Sequence, residues 1–131
     1  MSVPIILLFN AQQINLKDRM SAYLVVTKNE RGYRCAYRNS TVNANTSATA
    51  PSEFKFDTIK KTLESEYYYV YPDFHNAKKQ MQEHWPLIPS VFKVSISAIK
   101  NDIFVGFVNG LRAFAVKTIS IPNLPLISMG E

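Results

Sequence analysis

The sequence is poor in the residues that organise disulfides, phosphate-binding loops and membrane spans. Its 131 residues include one cysteine, Cys35, and four glycines. A single cysteine excludes an internal disulfide framework and fits the cytoplasm or another reducing compartment. Phosphate-binding glycine loops are missing as well, since two of the glycines already serve a strand and a turn. No run approaches the roughly 20 consecutive apolar residues that a membrane-spanning helix needs.

The N-terminal apolar run, Val3 to Phe9, predicts a buried first strand and no signal peptide. No Lys or Arg precedes the run, it is short for a signal sequence, and no small-residue cleavage site follows it. Export by a route that needs no signal peptide stays open.

Acidic residues are fewer than basic ones, 10 against 15, so the formal net charge is +5. This balance favours anionic partners in weak encounters, but it is too small and too dispersed to identify a nucleic-acid binder. The hydrophobic fraction of 47% and the charged fraction of 19% are those of an ordinary globular protein. A chain of this length predicts one domain with a core that needs no disulfide or metal.

Two short helices are predicted in the first half of the chain. Asn10 followed by Gln13 resembles a capping box, which predicts a helix over residues 11–20. A second helix is predicted over residues 57–65, because apolar residues there recur at helical spacing. The apolar residues of this second pattern are Phe56, Ile59 and Leu63.

Between these helices, residues 39–52 are small and polar and predict a mobile surface loop. The loop contains two N-glycosylation acceptor patterns, at Asn39 and Asn45. Such matches arise by chance in a segment rich in Asn, Ser and Thr, so these two patterns do not indicate glycosylation.

The segment from Glu64 to Trp85 concentrates tyrosines, both histidines and the only tryptophan. Residues 67–71 consist of strand-forming residues and end at Pro72, which predicts a strand. Asp73 then stands where a helix N-cap belongs. The following helix is predicted from a single apolar stripe. This stripe consists of Phe74, Ala77, Met81 and Trp85.

Alternating apolar and polar residues predict the remaining strands. Residues 22–27 and 33–38 flank a turn and predict a hairpin. Residues 91–99, 103–108 and 111–121 predict a three-stranded meander, whose second turn is an Asn-Gly dipeptide suited to a type I′ hairpin. The whole chain, residues 1–131, therefore reads as a single α+β domain. Its mainly antiparallel sheet is packed by two or three helices.

No catalytic, cofactor-binding or metal-binding signature emerges from this pattern. His75 and His84 are nine residues apart on one helix, which places them on opposite faces. No G-x-S-x-G element accompanies the serines, and neither histidine has a motif partner. Cys35 shares a strand face with tyrosines while Arg34 points to the other face, so a buried and inert thiol is expected.

Two stretches, GYRCAYRNST and YYYVYPDFHNAKKQ with VFKVSIS, resemble the scaffold of ADP-ribosyltransferase-like domains. In that family an arginine on an early strand, a serine-bearing strand and a late glutamate bind the dinucleotide and drive transfer. The resemblance implies Arg34 or Arg38 for the first position and Ser95 or Ser97 for the second. It also implies a degenerate domain, because the late glutamate is missing. After Glu83 the only acidic residues are Asp102 and Glu131.

The sequence therefore predicts a non-catalytic protein–protein interaction module of the small regulatory, adaptor or effector type. An aromatic and basic surface would bind a protein partner, and the positive net charge favours an acidic one. Two alternatives stay open: a degenerate ADP-ribosyltransferase-like domain or other small enzyme, and weak binding of nucleic acid or another polyanion. Neither cofactor nor metal is expected, and the oligomeric state is not determined by the sequence. The predicted partner-binding residues are Arg31, Arg34, Arg38, Tyr67, Tyr69, Tyr71, His75, Lys78 and Lys79.

Overall fold

The described part of the chain is built almost entirely from β-strands. The computed structural model describes residues 7–14, 19–35, 41–50, 54–65, 68–83, 89–96, 103–108 and 110–128. Its elements, in chain order, are β1 (Leu7–Gln13), β2 (Met20–Asn29), β3 (Gly32–Cys35), β4 (Thr41–Val42), β5 (Thr46–Thr49), β6 (Phe54–Asp57), β7 (Thr62–Ser65), β8 (Tyr68–Val70), α1 (Phe74–Glu83), β9 (Pro89–Ile96), β10 (Ile103–Val108), β11 (Leu111–Val116), β12 (Thr118–Ile121) and β13 (Ile127–Ser128).

The strands form two antiparallel sheets. Sheet 1 has six strands in the order β6-β7-β1-β10-β11-β8. Sheet 2 has seven strands, six of them in the order β4-β3-β2-β9-β12-β5, and β13 also pairs with β9. Tyr23 of β2 and Tyr71, just after β8, exchange two backbone hydrogen bonds of 2.8 Å and so join the sheets.

The core lies against the inner faces of the two sheets. Strand β9 is central in sheet 2 and pairs with β2 over eight residue pairs, from Met20–Ile96 to Thr27–Pro89. Phe92 of β9 is fully buried, and the ring of Tyr33 meets it edge-on at a centroid distance of 4.8 Å. Such edge-to-face pairs add to the stabilisation that burial of the aromatic surface provides.

Helix α1 packs on β2 and β9. The Asp73 carboxylate accepts a hydrogen bond of 2.8 Å from the His75 backbone N–H, which confirms the predicted N-cap. Phe74 contacts the ring of Tyr23 at 5.4 Å, and Ala77 is fully buried. Within the described residues no helix combines the length and apolar content that crossing a bilayer requires.

The predicted α+β fold with two or three helices is wrong, because α1 is the one helix of the described residues. Part of the segment predicted as helix 11–20 lies in β1, and the segment predicted as helix 57–65 is a turn with the flanking strands. Phe56 and Leu63 are cross-strand partners in the β6–β7 hairpin. Their spacing, which resembles that of a helix face, therefore reflects pairing across the hairpin.

The predicted three-stranded meander is also wrong in its first pairing. Strands β10 and β11 form the predicted hairpin, with six residue pairs from Ile103–Val116 to Val108–Leu111. Strand β9, however, pairs with β2 and β12 of the other sheet. The alternating pattern identified these strands, but the chain reaches from one sheet to the other between β9 and β10.

The polar segment predicted as a mobile loop contributes two short strands. Residues 41–50 form β4 and β5 with a turn between them, whereas residues 39–40 and 51–52 lie outside the described residues. The Thr46 hydroxyl donates a hydrogen bond of 2.6 Å to the Asn43 carbonyl oxygen across this turn. Strand β5 pairs with β12 over four residue pairs. Hydroxyl-bearing residues therefore build an edge of sheet 2.

The last two strands lie end to end along one side of β9, whose other side is taken by β2. Ser120 of β12 pairs with Ser95, and Ile127 of β13 pairs with Val91. Residues 122–126 leave the sheet between them. Both ends of this excursion are fixed, because the Pro122 carbonyl accepts a 2.9 Å bond from Asn45 and the Leu126 N–H donates a 2.7 Å bond to Val91.

Candidate functional site

An aromatic row crosses the outer face of sheet 1. Phe9 of β1 pairs with Phe107 of β10, which pairs with Arg112 of β11. Directly opposed residues of antiparallel strands point to the same face, so these three side chains are neighbours. Phe9 is 51% exposed and Phe107 is 42% exposed, and Arg112 is exposed as well. We call these three residues the aromatic row.

A second set of side chains supports the row from one side. Val105 lies two residues from Phe107 on the same strand and pairs with Gln12 and Phe114. The guanidinium carbon of Arg112 lies 6.0 Å from the centroid of the Phe114 ring. This cation–π contact orients the arginine along the face.

The position of Phe9 depends on a β-bulge. Two residues separate Phe9 from Gln12 on β1, whereas one residue separates their partners Phe107 and Val105 on β10. Asn10, inside the bulge, has a φ of 50°. The bulged backbone lies so close to Gly106 that a Cβ atom there would be 2.5 Å from the Phe9 carbonyl oxygen. A glycine is therefore required opposite the bulge, since any larger residue would displace the backbone that carries Phe9.

The predicted tyrosine surface is buried where the structure describes it. Tyr69 is 5% exposed and Tyr71 is fully buried, while Tyr67 lies outside the described residues. Every residue of β8 is buried, so both faces of this strand are covered. Aromatic residues do reach the surface, but they are phenylalanines of β1 and β10.

The predicted basic residues are exposed where they are described, but they do not adjoin the aromatic row in the sheet. Arg31 and Arg34 belong to the β2–β3 hairpin of sheet 2, and Arg38 lies outside the described residues. The remaining three predicted residues are exposed on α1, which packs on sheet 2. They are His75, Lys78 and Lys79.

The residues considered for chemistry are not assembled into a site by the described structure. Cys35 is buried and pairs with Val26 on the core side, while the neighbouring Arg34 is exposed. Ser95 is half-buried on β9, and Ser97 and His84 lie outside the described residues. In the described ranges no three His, Cys, Asp or Glu side chains gather closely enough to bind a metal ion.

Sheet 2 carries a different row on its outer face, made of small hydroxyl side chains. Four serines pair in succession across β2, β9, β12 and β5. The hydroxyl oxygens of Ser47 and Ser120 are 3.3 Å apart, and those of Thr49 and Thr118 are also 3.3 Å apart. We call the four serines the hydroxyl row: Ser21, Ser95, Ser120 and Ser47.

Comparison of the chain with protein-family profiles, with curated protein sequences and with solved structures finds no match.

Proposed function

We propose that this protein is a non-catalytic interaction module that binds a protein partner through the aromatic row. The observation that supports this proposal is the row itself: two exposed phenyl rings and an exposed guanidinium aligned across three neighbouring strands. Exposed aromatic groups of this kind are unfavourable in water and are enriched, with arginine, at the centres of protein interfaces.

The chemistry of the row defines what the partner presents. The rings of Phe9 and Phe107 would cover an apolar side chain, with a gain of about 25 cal/mol for each Å² of apolar surface removed from water. Arg112 offers a planar fork of N–H donors that matches a carboxylate. The partner segment therefore combines an apolar side chain with an adjacent Asp or Glu.

Electrostatics outside the row favours the same partner. The net charge of +5 and the exposed basic residues of α1 and the β2–β3 hairpin attract an acidic protein over a distance of several ångströms. Long-range attraction of this type speeds association and adds less to the lifetime of the complex. Raising the salt concentration should therefore slow binding more than it accelerates dissociation.

The test begins with affinity purification and mass spectrometry of cross-linked partners, followed by titration calorimetry with the purified partner. The variant Phe9→Ser/Phe107→Ser and the variant Arg112→Ala should each weaken binding, by on the order of 30-fold for the double variant, because central aromatic contacts dominate interface energies. Ser120→Ala on the hydroxyl row is the matched control and should bind as the wild type does.

A partner that binds the double phenylalanine variant with unchanged affinity would refute the proposal, provided that the variant melts at the wild-type temperature. Binding that instead disappears steeply with salt and extends to any DNA, RNA or polyanion would favour the polyanion alternative.

A further inference from the structure

Strand β5 forms one end of sheet 2, and its composition leaves that end unprotected. Natural edge strands are guarded against pairing with other chains by lysine, proline or a bulge. The sequence of β5, Thr-Ser-Ala-Thr, contains none of these guards. Its four pairs with β12 are regular and free of register shifts. Among the described residues, no strand pairs with the outer side of β5.

The outward-facing backbone groups of β5 can be identified from its bonds to β12. The Ala50 N–H donates a 2.7 Å hydrogen bond to the Lys117 carbonyl oxygen. Successive residues of an antiparallel strand direct their N–H and C=O groups to opposite sides. Ala48 therefore faces β12 as Ala50 does, whereas Ser47 and Thr49 direct their backbone donors and acceptors to the free side.

The side chains of β5 are complementary to a second copy of the same strand. An antiparallel pair related by a two-fold axis at Ala48 places Ser47 opposite Thr49 of the other copy and the two Ala48 methyl groups opposite each other. Hydroxyl pairs of this kind already join β5 to β12, at 3.3 Å for both Ser47–Ser120 and Thr49–Thr118. The second copy would repeat these contacts on the other side of β5, and no charge on the strand opposes the pairing.

We infer that two copies of this protein associate through antiparallel pairing of their β5 strands, centred on Ala48, so that sheet 2 continues across the dimer. Within β5, this register pairs three residues of each copy, Ser47, Ala48 and Thr49. Interfaces below about 1,200 Å² are weak and transient, so the dimer forms at high protein concentration.

Sedimentation equilibrium tests the association directly. The apparent mass should rise above the monomer value of 14.9 kDa as the concentration is raised to about 1 mM. Thr49→Lys places a charged guard on the strand and should keep the protein monomeric at the same concentration. Thr41→Lys makes the same change on β4, at the opposite end of sheet 2, and should leave the association unchanged.

Cysteine cross-linking tests the register. Opposed residues that do not share hydrogen bonds have Cα atoms about 4.5 Å apart, within the range that a disulfide bridges, so Ala48→Cys should form an intermolecular disulfide under mild oxidation. The two Ser47 residues would be about 8 Å apart in this register, too far for a disulfide. Random collisions would give the opposite order, because Ser47 is exposed and Ala48 is half-buried.

The inference is overturned if the wild type remains a monomer at about 1 mM. It is equally overturned if Thr49→Lys associates as the wild type does, which would assign the contact to another surface. Cross-linking of Ser47→Cys that equals or exceeds that of Ala48→Cys would exclude the proposed register.

Discussion

The two sheets present opposite chemistry on their outer faces. On sheet 1 the aromatic row exposes large apolar rings beside an arginine, and on sheet 2 the hydroxyl row exposes small groups that water solvates well. Both rows are single lines of cross-strand neighbours, so the difference is one of side chains and not of architecture. Exposure alone therefore does not identify a binding surface. An exposed phenyl pair leaves apolar area in water that a partner would cover, whereas an exposed serine does not.

The backbones beneath the two rows also differ. The aromatic row rests on a bulge and on a glycine that admits it, at Asn10 and Gly106. The hydroxyl row runs over regular pairing between β2, β9, β12 and β5. A bulge is the usual means by which a sheet redirects one side chain, so the orientation of Phe9 depends on a specific local geometry.

The largest expected difference is in the free energy of unfolding, between a variant of the buried Phe92 and a variant of the exposed Phe107. Phe92→Ala should lower the free energy of unfolding by about 4 kcal/mol, because it removes a fully buried ring and leaves a cavity. Phe107→Ala should lower it by less than about 1 kcal/mol, since the ring is 42% exposed. Urea denaturation of both variants measures the difference. Equal losses would show that Phe107 is part of the core and would remove the aromatic row as a binding surface.

A smaller loss is expected from the glycine beneath the bulge. Gly106→Ala should lower the free energy of unfolding by about 2–3 kcal/mol, because the new methyl group would lie 2.5 Å from the Phe9 carbonyl oxygen. Gly110→Ala is the matched control. A Cβ there would meet nothing within 4 Å, so the loss comes only from its φ of 78° and should be about 1 kcal/mol. If both substitutions give the same loss in urea denaturation, then the bulge does not constrain position 106.

The smallest expected effect is on the pH dependence of stability, which should differ between the β6–β7 turn of sheet 1 and the β4–β5 turn of sheet 2. The pKa of Asp57, the last residue of β6 before the β6–β7 turn of sheet 1, is lowered chiefly by a hydrogen bond from the Lys60 N–H. Desolvation opposes this effect, and the Ile59 N–H and the Lys60 charge lower the pKa further. The charged carboxylate stabilises the fold at pH values above its ordinary pKa. This contribution is lost as the pH falls through the lower pKa of the folded state.

Melting temperatures measured between neutral and acidic pH should therefore fall less in Asp57→Asn than in the wild type. The Thr46 hydroxyl caps the corresponding turn of sheet 2 and does not titrate, so Thr46→Ala should lower the melting temperature equally at all pH values. An NMR titration that finds the ordinary aspartate pKa for Asp57 would contradict the assignment.

The sequence predicted individual strands better than the way they pair. The β2–β3 and β10–β11 hairpins were predicted correctly because short turns join adjacent alternating segments. Pairing between distant strands, such as β9 with β2, leaves no local signal. The same limit explains the wrong helix at residues 57–65, where Phe56 and Leu63 meet across a hairpin and not along a helix face.

The candidate site could not be predicted for a related reason. Phe9 lies in an apolar run that predicts a buried strand, and the bulge at Asn10 changes which side chains face outward. Its neighbours Phe107 and Arg112 are distant in sequence, so the aromatic row exists only once β1, β10 and β11 are paired. Tyr69 and Tyr71 are the converse case: the tyrosine pattern predicts an exposed face, but every residue of β8 and the following Tyr71 are buried.

The loop at residues 122–126, between β12 and β13, should tolerate inserted residues. Strands β12 and β13 are aligned by β9, and hydrogen bonds at Pro122 and Leu126 fix the two ends of the excursion, so its interior does not set the register of either strand. Extra residues placed after Asn123 should lengthen the loop at little energetic expense, because loop entropy changes slowly with length. This position therefore offers a place for an epitope or a fluorescent label that leaves the aromatic row, on the other sheet, untouched.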